Sequence, residues 1–192
     1  YSASGGSTTK VDPLGNRNTY YIDTQYRVTQ VVDPYSKVIN YYYDASNNLT
    51  RIQDNRKGGS ENTYFTYDSR SNVLTRKNGL NNIWSYGYNS TNDVITSTNP
   101  LAYTTVYTYN AAGNLTAVTN ALSETTSFGR DSYGQLTSVT DARGKTTALG
   151  YDSYGNVVTT TNPYSYTWVS AYDLAGRKTS ATDPLSHTVF YG

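Results

Sequence analysis

The sequence lacks cysteine and methionine, has a single histidine, and shows almost no excess of charge: 15 Lys plus Arg against 14 acids. Without Cys there is no disulfide framework, no thiolate zinc site, no iron–sulfur cluster and no cysteine nucleophile. A formal net charge of +1 with no basic run speaks against a phosphate-driven interaction, so no nucleic-acid partner is expected. No apolar stretch approaches the roughly 20 residues of a membrane-spanning helix, and no such span is expected. Charged residues make up only 15% of the chain, so it is not one of the charge-rich sequences that stay disordered. With no initiator Met and no signal sequence, the chain reads as a mature piece or a segment of something longer. What is abundant is tyrosine, 22 residues of it, with 15 Gly, in a chain of 192 residues. That length corresponds to one large domain or two small ones, enough to bury a core.

The tyrosines reveal an internal repeat. Aligned on Tyr-Asp or Tyr-Asn, the second residue falls at Asp23, Asp44, Asp68, Asn89, Asn110, Asp131, Asp152 and Asp173. The spacing is 21 residues except once, where it is 24 and the interval holds the turn-type insertion Gly58-Gly59-Ser60. A second Asp or Asn follows ten positions after each anchor, at Asp33, Asp54, Asn78, Asn99, Asn120, Asp141, Asn162 and Asp183. One period earlier, Asp12 and Ser2 take the two anchor places, with Tyr1 before Ser2. Nine periods of 21 plus the three inserted residues account for all 192. Repeat arrays normally end in atypical capping units. Neither end of this chain carries one, and residues 1–192 are expected to be a single continuous array taken from a longer chain.

Each period reads as strand, turn, strand, turn. Thr104–Tyr109 is rich in β-branched and aromatic residues and predicts a strand. Asn110-Ala111-Ala112-Gly113 predicts a type I turn closed by a left-handed residue, with Asn110 bonding the backbone two residues on and Gly113 supplying the positive φ. Leu115–Thr119 is the return strand, and Asn120-Ala121-Leu122-Ser123 the second turn. All five Pro, at 13, 34, 100, 163 and 184, directly follow a second anchor, where a preset φ suits the next turn residue. No segment has a 3.6-residue apolar period, so no long helix is expected. The fold class is therefore all-β, with about eighteen short antiparallel strands. A flat meander of that size would be on the order of 85 Å wide, and large twisted sheets curl or close, which points to a spiral wall or tube.

Aromatic residues recur at fixed offsets. One before the anchor stand Tyr1, Tyr43, Tyr67, Tyr88, Tyr109, Tyr151 and Tyr172; three before it stand Tyr20, Tyr41, Phe65, Tyr86, Tyr107 and Phe128; Trp84 and Trp168 lie five before. These offsets share one sheet face, and rings of neighbouring repeats are expected to stack in columns. On the return strand, Leu115 with Val118 and Leu136 with Val139 are three apart, which strict alternation puts on opposite faces unless a bulge intervenes.

Chemistry is sparse. Of twelve Asp, eleven are anchors and only Asp93 stands elsewhere. Repeated, equivalent carboxylates are turn formers rather than the two distinct groups a glycosidase needs. Nor are they arranged as the alternate-Asp loops of a calcium repeat. His187, the single His, has no Gly-x-Ser-x-Gly elbow to serve and reads as a loop residue. Gly5-Gly6-Ser7 lacks the Lys of a phosphate loop and falls at a repeat turn. Asn48, Asn89 and Asn114 lie in Asn-x-Ser/Thr sequons that the repeat consensus itself produces. No catalytic, cofactor-binding or metal-ligating residue is assigned, no cofactor is expected, and the chain is read as a non-enzyme. Exposed Tyr platforms that stack on sugars are the one competing functional reading, against rings that simply pack the sheet.

Tyr172-Asp173-Leu174-Ala175-Gly176-Arg177, followed by Thr179, Thr182 and Asp183-Pro184-Leu185, resembles the YD repeat of Rhs-repeat proteins. Tyr151–Asn156 and Tyr109–Thr116 are similar, and the resemblance covers the whole chain. The family includes bacterial Rhs proteins, Tc-toxin shell components and teneurins. The resemblance implies a long β-ribbon that spirals into a hollow shell, often around a toxin payload. Two features depart from the pattern. The chain has no segment like the Arg-, Tyr- and Asp-Pro-rich core that ends such repeats and in many members belongs to a self-cleaving aspartyl-protease region. In the N-terminal half the turn Gly is replaced by Tyr26, Asn47, Ser71 and Asn92, of which Tyr and Ser are expected to strain the turn or change its type. The expected function is structural: the wall of a secreted or cell-surface bacterial tube or filament. The alternatives are a section of a cocoon enclosing a toxin domain and a carbohydrate-binding adhesin stalk. The expected partners follow: further YD repeats of the same chain or of identical neighbours, an enclosed toxin polypeptide, and glycans.

Overall fold

The structure, a computed structural model, describes residues 5–56 and 61–192. Tyr1, Ser2 and the Gly58-Gly59-Ser60 insertion lie outside the described residues. Eighteen strands are formed, all assigned to one sheet, and among the described residues there is no helix. The residues group into two compact units, one running up to Tyr88 with Ser97–Ala102, the other comprising Asn89–Thr96 with Tyr103–Gly192.

The first unit holds β1 (Ser7–Val11), β2 (Arg17–Ile22), β3 (Val28–Val32), β4 (Val38–Tyr43), β5 (Leu49–Asp54), β6 (Glu61–Tyr67), β7 (Val73–Lys77) and β8 (Ile83–Tyr88). Each strand from β1 to β7 pairs antiparallel with the next in sequence. β9 (Val94–Thr98) has residues in both units. The second unit holds β10 (Thr104–Tyr109), β11 (Leu115–Thr119), β12 (Thr125–Arg130), β13 (Leu136–Thr140) and β14 (Thr146–Tyr151). It continues with β15 (Val157–Thr161), β16 (Thr167–Tyr172), β17 (Lys178–Thr182) and β18 (Thr188–Phe190). Here too each strand pairs antiparallel with the next. The expected strands Thr104–Tyr109 and Leu115–Thr119 are β10 and β11, residue for residue.

The register resolves the three-residue spacing on the return strands. Tyr109 stands opposite Leu115 but Thr108 opposite Ala117, so Thr116 is an extra, bulged residue. The same shift occurs between Gly129 and Arg130, Gly150 and Tyr151, and Ala171 and Tyr172. In the first unit it recurs between Tyr21 and Ile22, Tyr42 and Tyr43, and Thr66 and Tyr67. The bulge returns Leu115 and Val118 to one face, opposite Tyr109 and Tyr107. Where the bulged residue is Thr29, Thr50 or Thr116, its hydroxyl donates to the carbonyl of Tyr21, Tyr42 or Thr108 respectively.

Two expectations need correction. Aromatic rings of successive repeats do not face one another directly, because a return strand separates them. Tyr20 stands opposite Val31, Tyr41 opposite Ile52, Tyr43 opposite Leu49, Phe128 opposite Val139 and Tyr151 opposite Val157. The cross-strand unit in these repeats is thus an aromatic on an aliphatic residue, whereas Phe65 stands opposite Arg76 and Tyr172 opposite Lys178. The second correction concerns the core: no described side chain is buried, hydrophobic or polar. Sequential strand pairing adds strands in one layer, so both faces of the pleat stay within reach of solvent.

Candidate functional site

The repeated feature of this molecule is its turn, closed by one recurring set of hydrogen bonds. In the turn Asn110–Asn114, the Gly113 amide donates to the Asn110 carbonyl at 3.0 Å and the Asn110 amide to the Asn114 carbonyl at 3.0 Å. The Asn110 side-chain oxygen accepts two amides, from Ala112 and from Asn114, each at 3.0 Å. The first of these bonds was legible in the sequence. The second, from four residues on, was not. The same quartet builds the second-anchor turns, as at Asn120, whose Oδ1 accepts from Leu122 and Glu124.

Most aspartate anchors add a third bond, Asp33 and Asp131 excepted among the described residues. Asp152 Oδ1 takes the Tyr154 and Asn156 amides, while Oδ2 accepts from Asn156 Nδ2 at 2.9 Å. Arg27 and Arg177 fill the same place by donating to Asp23 and Asp173. His187 sits there in the last turn, with Nδ1 2.8 Å from Asp183 Oδ2. Hydrogen bonds from the residue four ahead are the largest influence holding the Asp12, Asp23, Asp44, Asp68, Asp141, Asp152, Asp173 and Asp183 carboxyls below the usual value. Asp93, the odd aspartate of the sequence, caps the turn from the opposite end. Its carboxylate accepts from the Thr91 hydroxyl and Asn89 Nδ2, which lower its pKa. A lowered pKa and a filled acceptor set are the properties of a structural cap, not of a general acid.

Among the described residues, the closing residue of each turn has positive φ. The first-anchor turns use Tyr26, Asn47, Ser71, Asn92, Gly113, Gly134, Gly155 and Gly176. The second-anchor turns use Gly15, Ser36, Asn81, Ala102, Ser123, Gly144, Ser165 and Ser186. Tyr26, at φ 61°, and Ser71, at 66°, therefore occupy the left-handed region and keep the same turn, so the expected change of turn type does not occur. The anchor's four bonds hold the loop closed against the local cost of a Cβ at positive φ. Serine at this place in the second turns went unread in the sequence.

A tyrosine staple joins one repeat to the one before. The phenols of Tyr43, Tyr67, Tyr88, Tyr109 and Tyr151 donate to the carbonyls of Val28, Leu49, Val73, Val94 and Leu136, at 2.7–3.0 Å. Each acceptor is the first residue of the preceding return strand, and Val28, Leu49, Val73 and Leu136 lie beside the bulge. Partial desolvation pushes the Tyr43, Tyr67, Tyr88 and Tyr109 phenols above their ordinary value. The Tyr that recurs before the anchor is thus a hydrogen-bond donor as well as a packing residue. Its spacing gave no sign of the carbonyl it reaches.

The most exposed aromatics are on the turns rather than in the strand columns: Tyr26 is 91% and Tyr133 89% exposed. The third residue of the second-anchor turns forms a further exposed set, with Leu14, Tyr35 and Leu80 in the first unit and Leu122, Tyr164 and Leu185 in the second. Among the sequon residues, Asn48 and Asn89 have their side-chain amides engaged with Asp44 and Asp93.

Comparison with known proteins gives one family. The RHS Repeat model matches residues 88–125 and 130–167. No curated protein matches the sequence. Among solved structures, the chain is similar to the crystal structure of TcdB2-TccC3-Cdc42, with a TM-score of 0.69 and 18% identity over 83% of this chain. It is similar to TcdB2-TccC3-TEV at a TM-score of 0.70 and 13% identity over 90% of this chain. A mutant of the Photorhabdus luminescens Tc holotoxin pore is also similar, at a TM-score of 0.56 and 19% identity over 91% of this chain. The chain spans about a tenth of the length of these structures, at 10%, 11% and 9% respectively. With its 21-residue period, Tyr-Asp turns and antiparallel hairpins, the chain resembles the YD-repeat, or Rhs-repeat, family, whose model matches residues 88–125 and 130–167.

Proposed function

We propose that this chain is a section of the wall of a Rhs/Tc-type shell, a non-enzymatic structural element of a secreted bacterial assembly. The observation that carries this reading is the absence of any buried described side chain in a regular repeat sheet. Such a sheet has two working faces, as a wall does, and gains stability by adding repeats rather than by enclosing a core of its own. The exposed Leu and Tyr on most second-anchor turns support contact with further wall, since apolar residues left in water at most periods favour a neighbour. Turn-bound carboxylates support the non-enzymatic reading. The partners of this section are further YD repeats and an enclosed polypeptide.

A tube or filament that continues without closing is the second reading, favoured by the return of one hairpin geometry in both units without a departing strand. Electron microscopy of the full-length protein separates them. Discrete hollow particles of uniform size are expected; filaments of uniform diameter would establish the tube, and solid globules would refute both.

A further inference from the structure

The face opposite the aromatic columns carries an unusual row in the first unit. Tyr42 on β4 stands opposite Arg51 on β5, Arg51 opposite Tyr64 on β6, and Tyr64 opposite Lys77 on β7. Ring and cation therefore alternate across four adjacent strands. The Arg51 guanidinium lies 3.6 Å from the Tyr42 ring centre, and the Lys77 ammonium 5.0 Å from that of Tyr64. Stacking holds the cations without consuming their charge.

Neither cation has a carboxylate partner among the described residues. Ion pairs there instead join an anchor to its own turn, as in Arg27–Asp23, Arg70–Asp68 and Arg177–Asp173. Arg17 lies on the same face, opposite Val11. No described strand residue on this face of the first unit is acidic. A parallel row of amides runs beside the cations: Gln30 stands opposite Asn40, and Asn40 opposite Gln53, with Gln30 Nε2 donating to Asn40 Oδ1 at 2.9 Å. The Tyr42 hydroxyl joins the two rows by donating to Gln53 Oε1 at 2.8 Å.

We propose that this face binds an acidic, extended polypeptide segment. Arg51 and Lys77, two strand spacings or about 9–10 Å apart, meet carboxylates along such a segment. Tyr64 excludes water between those contacts, and Tyr42 does so on the outer side of Arg51. The amide row offers donors and acceptors together, which matches peptide groups that present both. Phosphates only accept, and phosphate-driven binding rests on many cations rather than three, so a polypeptide fits this face better than a nucleic acid.

Fluorescence anisotropy tests this with a labelled twelve-residue Glu-Ser peptide, an equal-length Lys-Ser peptide and a twelve-nucleotide oligothymidine. The Glu-Ser peptide is expected to bind, more weakly as salt rises, and the Lys-Ser peptide not to bind. The double variant Arg51→Gln, Lys77→Gln is expected to weaken binding at least tenfold. Arg143→Gln, in a turn of the second unit, leaves it unchanged. If the double variant loses its β-sheet circular dichroism, Lys77→Gln alone serves, with a loss of about threefold expected. No binding of the acidic peptide at low salt, equal binding by a folded variant, or tighter binding of the oligothymidine would overturn the proposal.

Discussion

The two units repeat one backbone with different side chains. In both, the anchor oxygen takes two amides, the bulge follows the turn, and a tyrosine staples back to the preceding return strand. The closing residues differ: first-anchor turns use Tyr26, Asn47 and Ser71 in the first unit, and Asn92 followed by Gly113, Gly134, Gly155 and Gly176 in the second. The face away from the aromatic columns differs as well. The first unit places Tyr42, Arg51, Tyr64 and Lys77 there; the second places Thr119, Thr125, Ser138, Thr140, Thr159 and Thr161. In the second unit, Thr hydroxyls pair at 2.8 Å on either side of each second-anchor turn, as in Thr119 with Thr125 and Thr161 with Thr167. The corresponding places in the first unit hold Val32 with Val38 and Lys77 with Ile83. Anchor, bulge and staple thus fix the lattice, and the outer face is left to vary.

The largest expected effects come from turns where an added Cβ is crowded as well as held at the wrong φ. At Gly155, φ is +86° and an added Cβ would lie 3.0 Å from Gln135 Nε2 in the preceding turn. Gly155→Val is expected to cost about 2–3 kcal/mol, by denaturant unfolding. Gly113 has nothing within 4 Å of such a Cβ, so Gly113→Val bears only the φ strain, about 1–2 kcal/mol. Equal losses at the two positions would mean that Gln135 does not crowd the Gly155 turn.

Removing one staple is expected to have a smaller effect. Tyr67→Phe leaves the Leu49 carbonyl without its 2.7 Å donor and is expected to cost about 1 kcal/mol. No loss would reduce this tyrosine to a packing residue. Smallest is a gain: Tyr26→Gly relieves positive φ at a 91%-exposed side chain and is expected to stabilise by about 0.5–1 kcal/mol. A loss there would mean that the Tyr26 ring makes a contact worth more than its strain.

The sequence displayed the period, both turns, the strand limits and the shared face of the aromatic offsets, because each depends on residues within one repeat. It could not display what depends on register. Whether Leu115 and Val118 share a face is decided by the bulge at Thr116, and the reach of Tyr109 to Val94 is decided by how strands align across fifteen residues. Tyr26 misled for a related reason: its own preference opposes the turn, but the bonds of Asp23 prevail.

Acidity acts on both units through the anchors. Their carboxyl pKa values are lowered in the folded state, so their stabilising contribution is full above the ordinary carboxylate value and is lost as pH falls through the lowered ones. Thermal unfolding midpoints are expected to hold steady through neutral pH and to drop progressively below about pH 4. The Asn110 and Asn120 turns carry no titrating anchor. Replacing Asp152 with Asn is expected to flatten part of that drop, and an unchanged profile would assign the acid sensitivity to other groups.

Residue-resolved amide hydrogen exchange tests the shared lattice most directly. The amide four residues after each anchor donates to the anchor's side chain, at Arg27, Asn48 and Asn72 in the first unit and Asn114, Gln135 and Asn156 in the second. One lattice predicts slow, comparable exchange at all six. Slow exchange in the glycine-closed turns with free exchange at Arg27, Asn48 and Asn72 would contradict it.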